Sequence, residues 1–206
     1  MPQGDRDKLL MVALTYQVRG FLANQVATLF HLQGERRTAN AERRLRRLVD
    51  KEWLEVERIH IRPLPPITGP IWRSGEDASL LKLEYEIQSR FSEPARRVNV
   101  YRASKKGAAV TGGTWGTAKA TQWQHDLHVS EILTWLYRER PEDALAFLGE
   151  DHYASNWSPG KLPDGLCFRD GKPYLAIESA GGSYTAKRLE AFASDMERRQ
   201  IPFEVF

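Results

Sequence analysis

The chain has 206 residues, of which 41% are hydrophobic and 28% charged, and its formal net charge at pH 7 is +3. This composition excludes wholesale disorder, and the single cysteine, Cys167, excludes an intramolecular disulfide and a multi-cysteine metal site. Because no apolar run approaches the length of a membrane span or of a signal peptide, we expect a cytoplasmic protein that does not bind membranes. The isoelectric point of about 9.0, with the basic excess in the first half, indicates one surface suited to nucleic acid.

The first sixty residues predict three helices and a strand. Asp5 to Arg19 forms the first helix, Phe21 to Phe30 the second and Thr38 to Lys51 the third. Trp53 to Ile61 then alternates apolar and polar residues as a strand does. If one bulge is allowed, the inward side chains of this strand are Leu54, Val56, Ile59 and Ile61.

The third helix combines an apolar stripe with a strongly basic face. Six arginines and one glutamate lie between Arg36 and Arg47, which gives this segment a local charge of +5. Forked guanidinium groups on one face of a helix are suited to phosphates and guanine edges. The alternative is a solvated surface helix whose arginines pair with Glu35, Glu42 and Asp50.

Three helices followed by a strand are the order of a winged helix-turn-helix, in which the third helix enters the major groove. The second wing strand is predicted late, at Arg97 to Ala103, after an insertion of about 62–94 that is rich in proline and glycine at its start. We expect Leu80 to Phe91 to form a helix or strand packed on this domain, because a structureless insertion of that length is unusual. The predicted DNA-binding residues are Arg36, Arg37, Asn40, Arg43, Arg44, Arg46, Arg47, Arg96, Arg97, Arg102, Lys105 and Lys106.

The second half predicts a small α/β domain. Its elements are a helix, a hairpin, a helix and a strand: Gln122 to Arg140, Leu166 to Arg169 with Pro173 to Ser179, Thr185 to Arg199, and Ile201 to Phe206. A glycine-rich linker at 110–119 precedes it. The predicted fold class is therefore α+β with two domains, a winged helix at 1–112 and an α/β domain at 113–206.

Asp164 and Glu178 are the carboxylates with the greatest chemical interest. A three-residue loop centred on Gly171 would place them opposite each other on one face, close enough to hold one divalent cation, whereas a two-residue turn would separate them. Pro-Asp, a hairpin and Glu-x-Lys form the arrangement of PD-(D/E)xK nucleases, but here the lysine position is Ala180. Glu131 is a candidate third metal ligand and Lys187 a candidate replacement for the lysine.

The alternative for this pair is structural, with Asp164 capping a turn and Glu178 accepting local hydrogen bonds. Because one member of the catalytic constellation is absent, this alternative is favoured. His125, Asp126 and His128 form a compact group at a helix start, and two histidines do not close a metal site. We expect this group to cap the helix and hold it against the hairpin.

Several segments together resemble the replication-relaxation family. They are Ala41 to Leu48, Val100 to Ala103, His125 to Val129, Lys161 to Gly165, and Ile177-Glu178 with Gly182 and Tyr184. The resemblance implies a winged-helix DNA-binding domain joined to a degenerate PD-(D/E)xK-like domain, in a protein of plasmids or other mobile elements. It also implies DNA binding by the paired arginines and a structural or binding role for Asp164 and Glu178. Ala180 departs from the family's commoner Glu-x-Asp form.

Three functions follow from these observations. The first is a non-catalytic double-stranded-DNA-binding protein, a regulator or accessory factor in replication, relaxation or mobilisation, compatible with a homodimer and needing no cofactor. The second is a Mg²⁺-dependent endonuclease that uses Asp164, Glu178 and Lys187, with Glu131, Asp164 and Glu178 as metal ligands. The third is an interaction module that docks a replication or transfer protein through an exposed tryptophan, with Trp115, Trp123, Trp135 and Trp157 as candidates.

Overall fold

The computed structural model describes residues 4–116 and 121–206 and shows a mixed α/β protein. Within these residues it contains eight α-helices, a two-stranded ribbon and a five-stranded sheet. The last residues of the linker predicted at 110–119 lie outside the described residues. No helix in the described part is long and apolar enough to cross a lipid bilayer.

The three predicted N-terminal helices are present as α1 (Asp5–Val12), α2 (Ala23–Leu29) and α3 (Arg37–Asp50). They pack around a shared cluster of buried side chains that includes Leu10 and Leu45. The apolar stripe read from the third helix is therefore its buried side.

The first helix differs from its prediction in its second half. After α1 the chain forms a π-helical turn over Ala13–Gln17, where an α-helix was predicted to continue to Arg19. The hydroxyl of Thr15 donates to the carbonyl oxygen of Met11 at 2.7 Å. A threonine that bonds back onto the helix in this way competes with the regular backbone pattern and bends the helix.

A ribbon of two antiparallel strands follows α3. β1 (Leu54–Ile61) pairs with β3 (Arg96–Ala103) over its full length and without a bulge. Because side chains alternate between the two faces, Leu54 and Val56 share one face while Ile61 lies on the other. Val56 is 46% exposed, so the prediction that it points inward is wrong, as is the bulge on which it depended.

The second sheet is mixed. Its strands are β2 (Trp72–Arg73), β4 (Phe147–Gly149), β5 (Gly165–Arg169), β6 (Lys172–Glu178) and β7 (Phe203–Val205). Their order across the sheet is β2-β7-β6-β5-β4, and the β6–β7 pair is parallel while the others are antiparallel.

Helices cover both faces of this sheet. α6 (Trp123–Glu139) lies over the face that carries Cys167 and Ile177, and these side chains share a buried cluster. α8 (Ala186–Arg198), which connects β6 to β7, lies over the opposite face. A short helix, α5 (Lys105–Thr111), precedes α6 in the chain, and another, α7 (Pro141–Ala146), follows it.

The insertion between the ribbon strands packs with the second half of the chain. Its strand β2 pairs with β7, and its helix α4 (Leu80–Ser89) packs on α8. Leu83 and Ile87 are buried in the cluster beneath α8. The helix predicted within Leu80 to Phe91 is thus present, but the prediction that it packs on the winged-helix domain is wrong, because its apolar side packs on α8.

The N-terminal helices and α6 are in direct contact. The side-chain amide of Gln25 donates to the carbonyl oxygen of Leu127 at 2.9 Å, and the Ser130 hydroxyl donates to the carbonyl oxygen of Gly20 at 2.6 Å. Gly149 lies so close to Gln17 that a Cβ added to the glycine would meet the Gln17 carbonyl oxygen at 2.3 Å. The basic helix is therefore fixed relative to the sheet by a shared, tightly packed core.

Candidate nucleic-acid interface and the carboxylate pair

The outer side of α3 carries exposed arginines. Ala41, Leu45 and Leu48 are its buried positions, and the predicted DNA-binding residues on the far side are exposed: Arg36, Arg37, Asn40, Arg43 and Arg47. Among the described residues, neither Arg43 nor Arg47 forms an ion pair. Their guanidinium groups therefore point away from the core with their donors available to a partner.

Arg44 and Arg46 differ from these arginines in their contacts. The Arg44 Nε lies 2.6 Å from Oδ1 of Asp7 on α1, and its guanidinium stands over the Phe30 ring. Arg46 is exposed and lies 3.4 Å from Glu42, one turn earlier on the same helix. Arg44 therefore ties α3 to α1, and its predicted role in DNA binding does not fit its contacts.

One face of the ribbon continues the basic surface of α3. Arg58, His60 and Arg97 lie on it and are exposed, and Asn99 is cross-strand partner to Arg58. Farther along the same face, the buried Tyr101 lies near Glu42 and Arg46 of α3. Sequence reasoning missed Arg58, although its position two residues from His60 on an alternating strand was the available signal.

A groove separates α3 from this ribbon face. Its walls come from the start of α2, the start of α3, the proline-rich segment after β1, and β3. They include Asn24, Thr38, Pro65, Arg96, Arg97 and Asn99. Asn24 and Thr38 are polar residues that sequence reasoning did not place at the interface. The groove therefore offers hydrogen-bonding groups beside the arginine row.

Three other predicted DNA-binding residues, Arg102, Lys105 and Lys106, do not lie on the basic face of the ribbon. Arg102 lies on the opposite face of the ribbon, where its Nη2 is 2.6 Å from Glu55. Lys106 pairs with Glu52 at 3.1 Å and stands over the Trp53 ring, at the end of the ribbon farthest from Arg97. Lys105 is exposed beside it. Arg102 is thus turned away from the basic face because strand alternation reverses its direction.

Asp164 and Glu178 meet through the register of the β5–β6 hairpin. Asp170 and Gly171 both have positive φ and form a two-residue turn, which by itself would put the carboxylates on opposite faces. However, the register shifts by one residue beyond Phe168, so that Gly165 pairs with Ile177. The next positions, Asp164 and Glu178, therefore face each other despite the two-residue turn.

Local hydrogen bonds occupy this pair. The Asp164 Oδ1 lies 2.8 Å from Nε2 of His125, and its Oδ2 accepts a hydrogen bond of 2.7 Å from the Ser179 amide. The Glu178 Oε1 accepts a hydrogen bond from the Tyr184 hydroxyl. Burial and the neighbouring Asp164 carboxylate raise the pKa of Glu178 well above its usual range.

The His125–Asp164 contact favours a charged imidazole. Burial alone lowers the pKa of His125, but the hydrogen bond and charge of Asp164 outweigh it and raise that pKa to about 9. The imidazolium therefore balances the Asp164 carboxylate at neutral pH.

The remaining members of the group at the start of α6 also hold it in place. Nδ1 of His128 lies 2.7 Å from the Ser179 hydroxyl, and burial lowers the pKa of His128 to about 4. Asp126 pairs with Arg19 at 3.1 Å, and burial raises the pKa of Asp126 to about 6. The contact between His128 and Ser179 agrees with the predicted function of holding the helix against the hairpin. The prediction that the group also caps the helix is wrong, because the cap position of α6 is Gln122 and no side chain in the described part of the chain bonds to the first amides there.

Glu131 and Lys187 are not part of the pair. The Glu131 Oε2 accepts a hydrogen bond of 2.9 Å from Gln25 on α2, and Glu131 lines the groove beside α3. Lys187 is exposed, whereas the next residue, Arg188, stands over the Tyr184 ring, and its charge offsets a small part of the rise that burial causes in the pKa of Glu178. In the described part of the chain neither Glu131 nor Lys187 forms a hydrogen bond or ion pair with Asp164 or Glu178, so neither predicted role fits.

The residues present do not fit a divalent metal ion. Within the described residues, no group of three or more His, Cys, Asp or Glu is arranged to hold one. Both oxygens of Asp164 and one oxygen of Glu178 accept hydrogen bonds from the protein, and a hard cation such as Mg²⁺ requires several oxygen ligands.

The tryptophans proposed as docking residues are divided between the core and the surface. Trp123 is 1% exposed and Trp135 8%, while Trp115 is 43% exposed and Trp157 is half-buried. Two of the four candidates therefore belong to the core.

The chain matches no protein-family model, no curated protein and no solved structure. The resemblance to the replication-relaxation family consequently depends on the sequence motifs alone.

Proposed function

We propose that this protein binds double-stranded DNA through α3 and the adjoining ribbon face and is not itself catalytic. The observation that carries the proposal is the row of exposed arginines on α3 beside the basic residues Arg58 and Arg97. A helix of this kind can enter the major groove while the ribbon contacts the phosphate backbone. Arg43 and Arg47 are the residues assigned to base edges or adjacent phosphates, and Asn40 is suited to adenine.

The order of elements supports a winged-helix assignment for the first half. Three helices precede an antiparallel ribbon in the chain, and the third helix carries the outward basic face. The helix-helix-strand-strand-strand-helix-strand order from α6 to β7 supports a restriction-endonuclease-like assignment for the second half. Together with the family motifs, these orders support a role as a regulator or accessory factor in replication, relaxation or mobilisation of a plasmid or other mobile element.

The carboxylate pair supports a non-catalytic role. A hydrolase of the PD-(D/E)xK type needs carboxylates free to bind metal and a cation that positions the attacking water. Here Asp164 and Glu178 accept hydrogen bonds within the protein, and Ala180 occupies the lysine position. The nuclease alternative is therefore less well supported than DNA binding alone.

Fluorescence anisotropy with a labelled mixed-sequence duplex tests the proposal. Arg43→Ala combined with Arg47→Ala should weaken binding by roughly 1–3 kcal/mol for each arginine at a base, and should lower the slope of log K against log salt by about two. The matched control is Lys82→Ala with Lys172→Ala, which removes the same charge from exposed positions on α4 and β6. Equal affinities and salt slopes for the two double variants would refute the proposal.

A further inference from the structure

We propose that the free edge of β3 binds an extended peptide, which adds to the ribbon as a third strand inside the groove beside α3. The occupant is a segment of a partner protein that carries a basic residue at one end, apolar residues in the middle and an acidic residue at the other end. The inference goes beyond the proposed DNA binding and does not depend on it, because it uses main-chain groups of β3.

Strand β3 already has a second neighbour besides β1. The amide of Tyr101 donates to the carbonyl oxygen of Phe21 at 2.9 Å, and the amide of Phe21 donates to the carbonyl oxygen of Tyr101 at 2.9 Å. The two residues form an isolated antiparallel bridge. The chain then leaves this pairing, because α2 begins at Ala23. A third strand is therefore started beside β3 and is not continued.

The bridge fixes the direction of the neighbouring main-chain groups. Along a strand, the N–H and C=O groups of every second residue point to the same side. Since those of Tyr101 point toward Phe21, those of Asn99 and Arg97 also point away from β1. Within residues 4–116 and 121–206, neither Asn99 nor Arg97 has a main-chain hydrogen-bond partner on that side. Donors and acceptors spaced in this way match an extended peptide, which binds by adding a strand to a sheet edge.

The groove beside α3 gives this edge the room that an added strand needs. The groove has a volume of about 540 Å³, and Asn99 and Val98 of β3 line it together with Leu64 and Thr38. The side chains of an added strand would alternate between the two sides of the ribbon. One side is apolar, because Leu64 and Val98 are half-buried there and pack against a shared hydrophobic cluster. Apolar residues of the peptide would contact this side.

Two glutamates lie at the end of the groove near the bridge. Burial and, to a lesser degree, the charge of Glu42 raise the pKa of Tyr101, which places Glu42 close to that residue. Glu131 accepts a hydrogen bond of 2.9 Å from Gln25, which follows Phe21 closely in the chain. Both glutamates line the groove. A basic residue of the peptide is therefore favoured at this end.

Two arginines lie at the opposite end of the groove. Arg96 and Arg97 begin β3, and both are exposed. At about 3.3 Å per residue, Arg97 is about 13 Å from Tyr101 along the strand. An acidic residue of the peptide is favoured beside these arginines, so that a segment of about five residues spans both charged ends. The two ends of the groove thus define the charge pattern of the partner.

Selection from a displayed library of random peptides about seven residues long, carried out on the whole chain, supplies the probe. We expect the selected peptide to carry basic and acidic residues on either side of apolar ones. Fluorescence anisotropy of the labelled peptide then measures its affinity. Methylation of its main-chain amides, one at a time, should weaken binding by about tenfold at every second position, because only alternate N–H groups face β3.

Asn99→Pro is the variant that tests the edge. It removes the outward N–H but no hydrogen bond to β1, and it should weaken peptide binding by about tenfold. Asn99→Ala keeps the N–H and should bind the peptide nearly as the wild type does. Val56→Pro is the matched control, because Val56 lies opposite Tyr101 and its N–H points to the other edge of the ribbon. This control should also bind as the wild type does.

Circular dichroism establishes that each variant is folded, and Asn24→Trp, which fills the groove from an exposed position on α2, is the second variant if Asn99→Pro is not. Failure to select any peptide would overturn the inference. Equal peptide affinities for the wild type and a folded Asn99→Pro or Asn24→Trp protein, or an effect of methylation without alternation, would overturn it as well. Binding of a single-stranded oligonucleotide that Asn99→Pro abolishes, without any selected peptide, would assign the groove to nucleic acid instead.

The peptide measurements contain no duplex DNA, and their variants leave Arg43 and Arg47 in place. Their failure would therefore leave the proposed DNA-binding function untouched, and failure of DNA binding would leave the peptide site untouched.

Discussion

His125 contacts Asp164 through a hydrogen bond of 2.8 Å, and this contact joins the start of α6 to the residue that precedes β5. The folded state raises the pKa of His125 from 6.5 to about 9. A raised pKa means that the folded protein binds the proton more tightly than the unfolded chain does. The stabilisation from this contact is therefore fully present below pH 6.5 and is lost as the pH rises through about 9.

This reasoning predicts a pH-dependent difference between the wild type and His125→Gln, since glutamine can donate a hydrogen bond but carries no charge. The difference in the free energy of unfolding, measured by urea denaturation, should be largest near pH 6 and should shrink toward pH 10. A difference that stays constant over this range would show that the charge of His125 does not contribute.

Arg44 and Arg43 are adjacent in the chain and should respond differently to substitution. Arg44→Ala should lower the free energy of unfolding by roughly 1–3 kcal/mol, because it leaves the buried carboxylate of Asp7 without its charged partner. Arg43→Ala should leave stability nearly unchanged, since its side chain is exposed. Denaturant unfolding of both variants measures this, and equal stabilities would contradict the structural role of Arg44.

The ribbon should contribute to DNA affinity through one face only. Arg58→Ala with Arg97→Ala should weaken binding to duplexes of different sequence by similar amounts and should lower the salt slope by about two. Arg102→Ala should leave the slope unchanged, because Arg102 points to the other face and pairs with Glu55. Anisotropy titrations at several salt concentrations measure both effects. A salt slope lowered by Arg102→Ala would show that DNA contacts the face of the ribbon that carries Arg102, which would contradict the prediction.

Gly149 is a test of how tightly the two halves pack. Gly149→Ala should destabilise the protein by about 1–3 kcal/mol, because the added Cβ would lie 2.3 Å from the Gln17 carbonyl oxygen and would force the backbone apart. Gly181→Ala is the control, since the structure places no atom within 4 Å of the Cβ that it would add. Thermal unfolding compares the two, and similar midpoints would mean that the contact between Gly149 and Gln17 yields at little cost.

A plasmid-nicking assay distinguishes the proposed function from its nuclease alternative. We expect no cutting above background with Mg²⁺ or Mn²⁺, and no difference between the wild type and Asp164→Ala, because both oxygens of Asp164 accept hydrogen bonds within the protein and Ala180 occupies the lysine position. Metal-dependent cutting that is lost in Asp164→Ala would establish the nuclease instead.

Local periodicity was sufficient for most of the elements and for the direction in which α3 faces. The spacing of Ala41, Leu45 and Leu48 defines its buried side, because a helix places such residues in one stripe whatever surrounds it. The same spacing predicted that Arg43 and Arg47 would be exposed. These features depend on neighbours within a few residues, and the sequence contains that information directly.

Other features depend on contacts between residues far apart in the chain. Arg44 and Arg43 look alike in sequence, and only packing brings Asp7 to one of them. The packing of α4 on α8 likewise depends on tertiary structure, because the sequence does not show which apolar surface of the protein will cover the apolar side of α4.

The positions of Asp164 and Glu178 opposite each other show most clearly where prediction from the sequence ends and tertiary structure decides. The Asp-Gly turn was readable from the sequence, but the register shift beyond Phe168 that brings the carboxylates together was not. A bulge leaves no local composition signal, since it is set by how the strands pair with β4 and β7 and by what covers them. The sequence by itself thus determined the basic helix and the hairpin, whereas tertiary packing decided which charges meet, because the cost of burying a charge depends on partners that only the fold supplies.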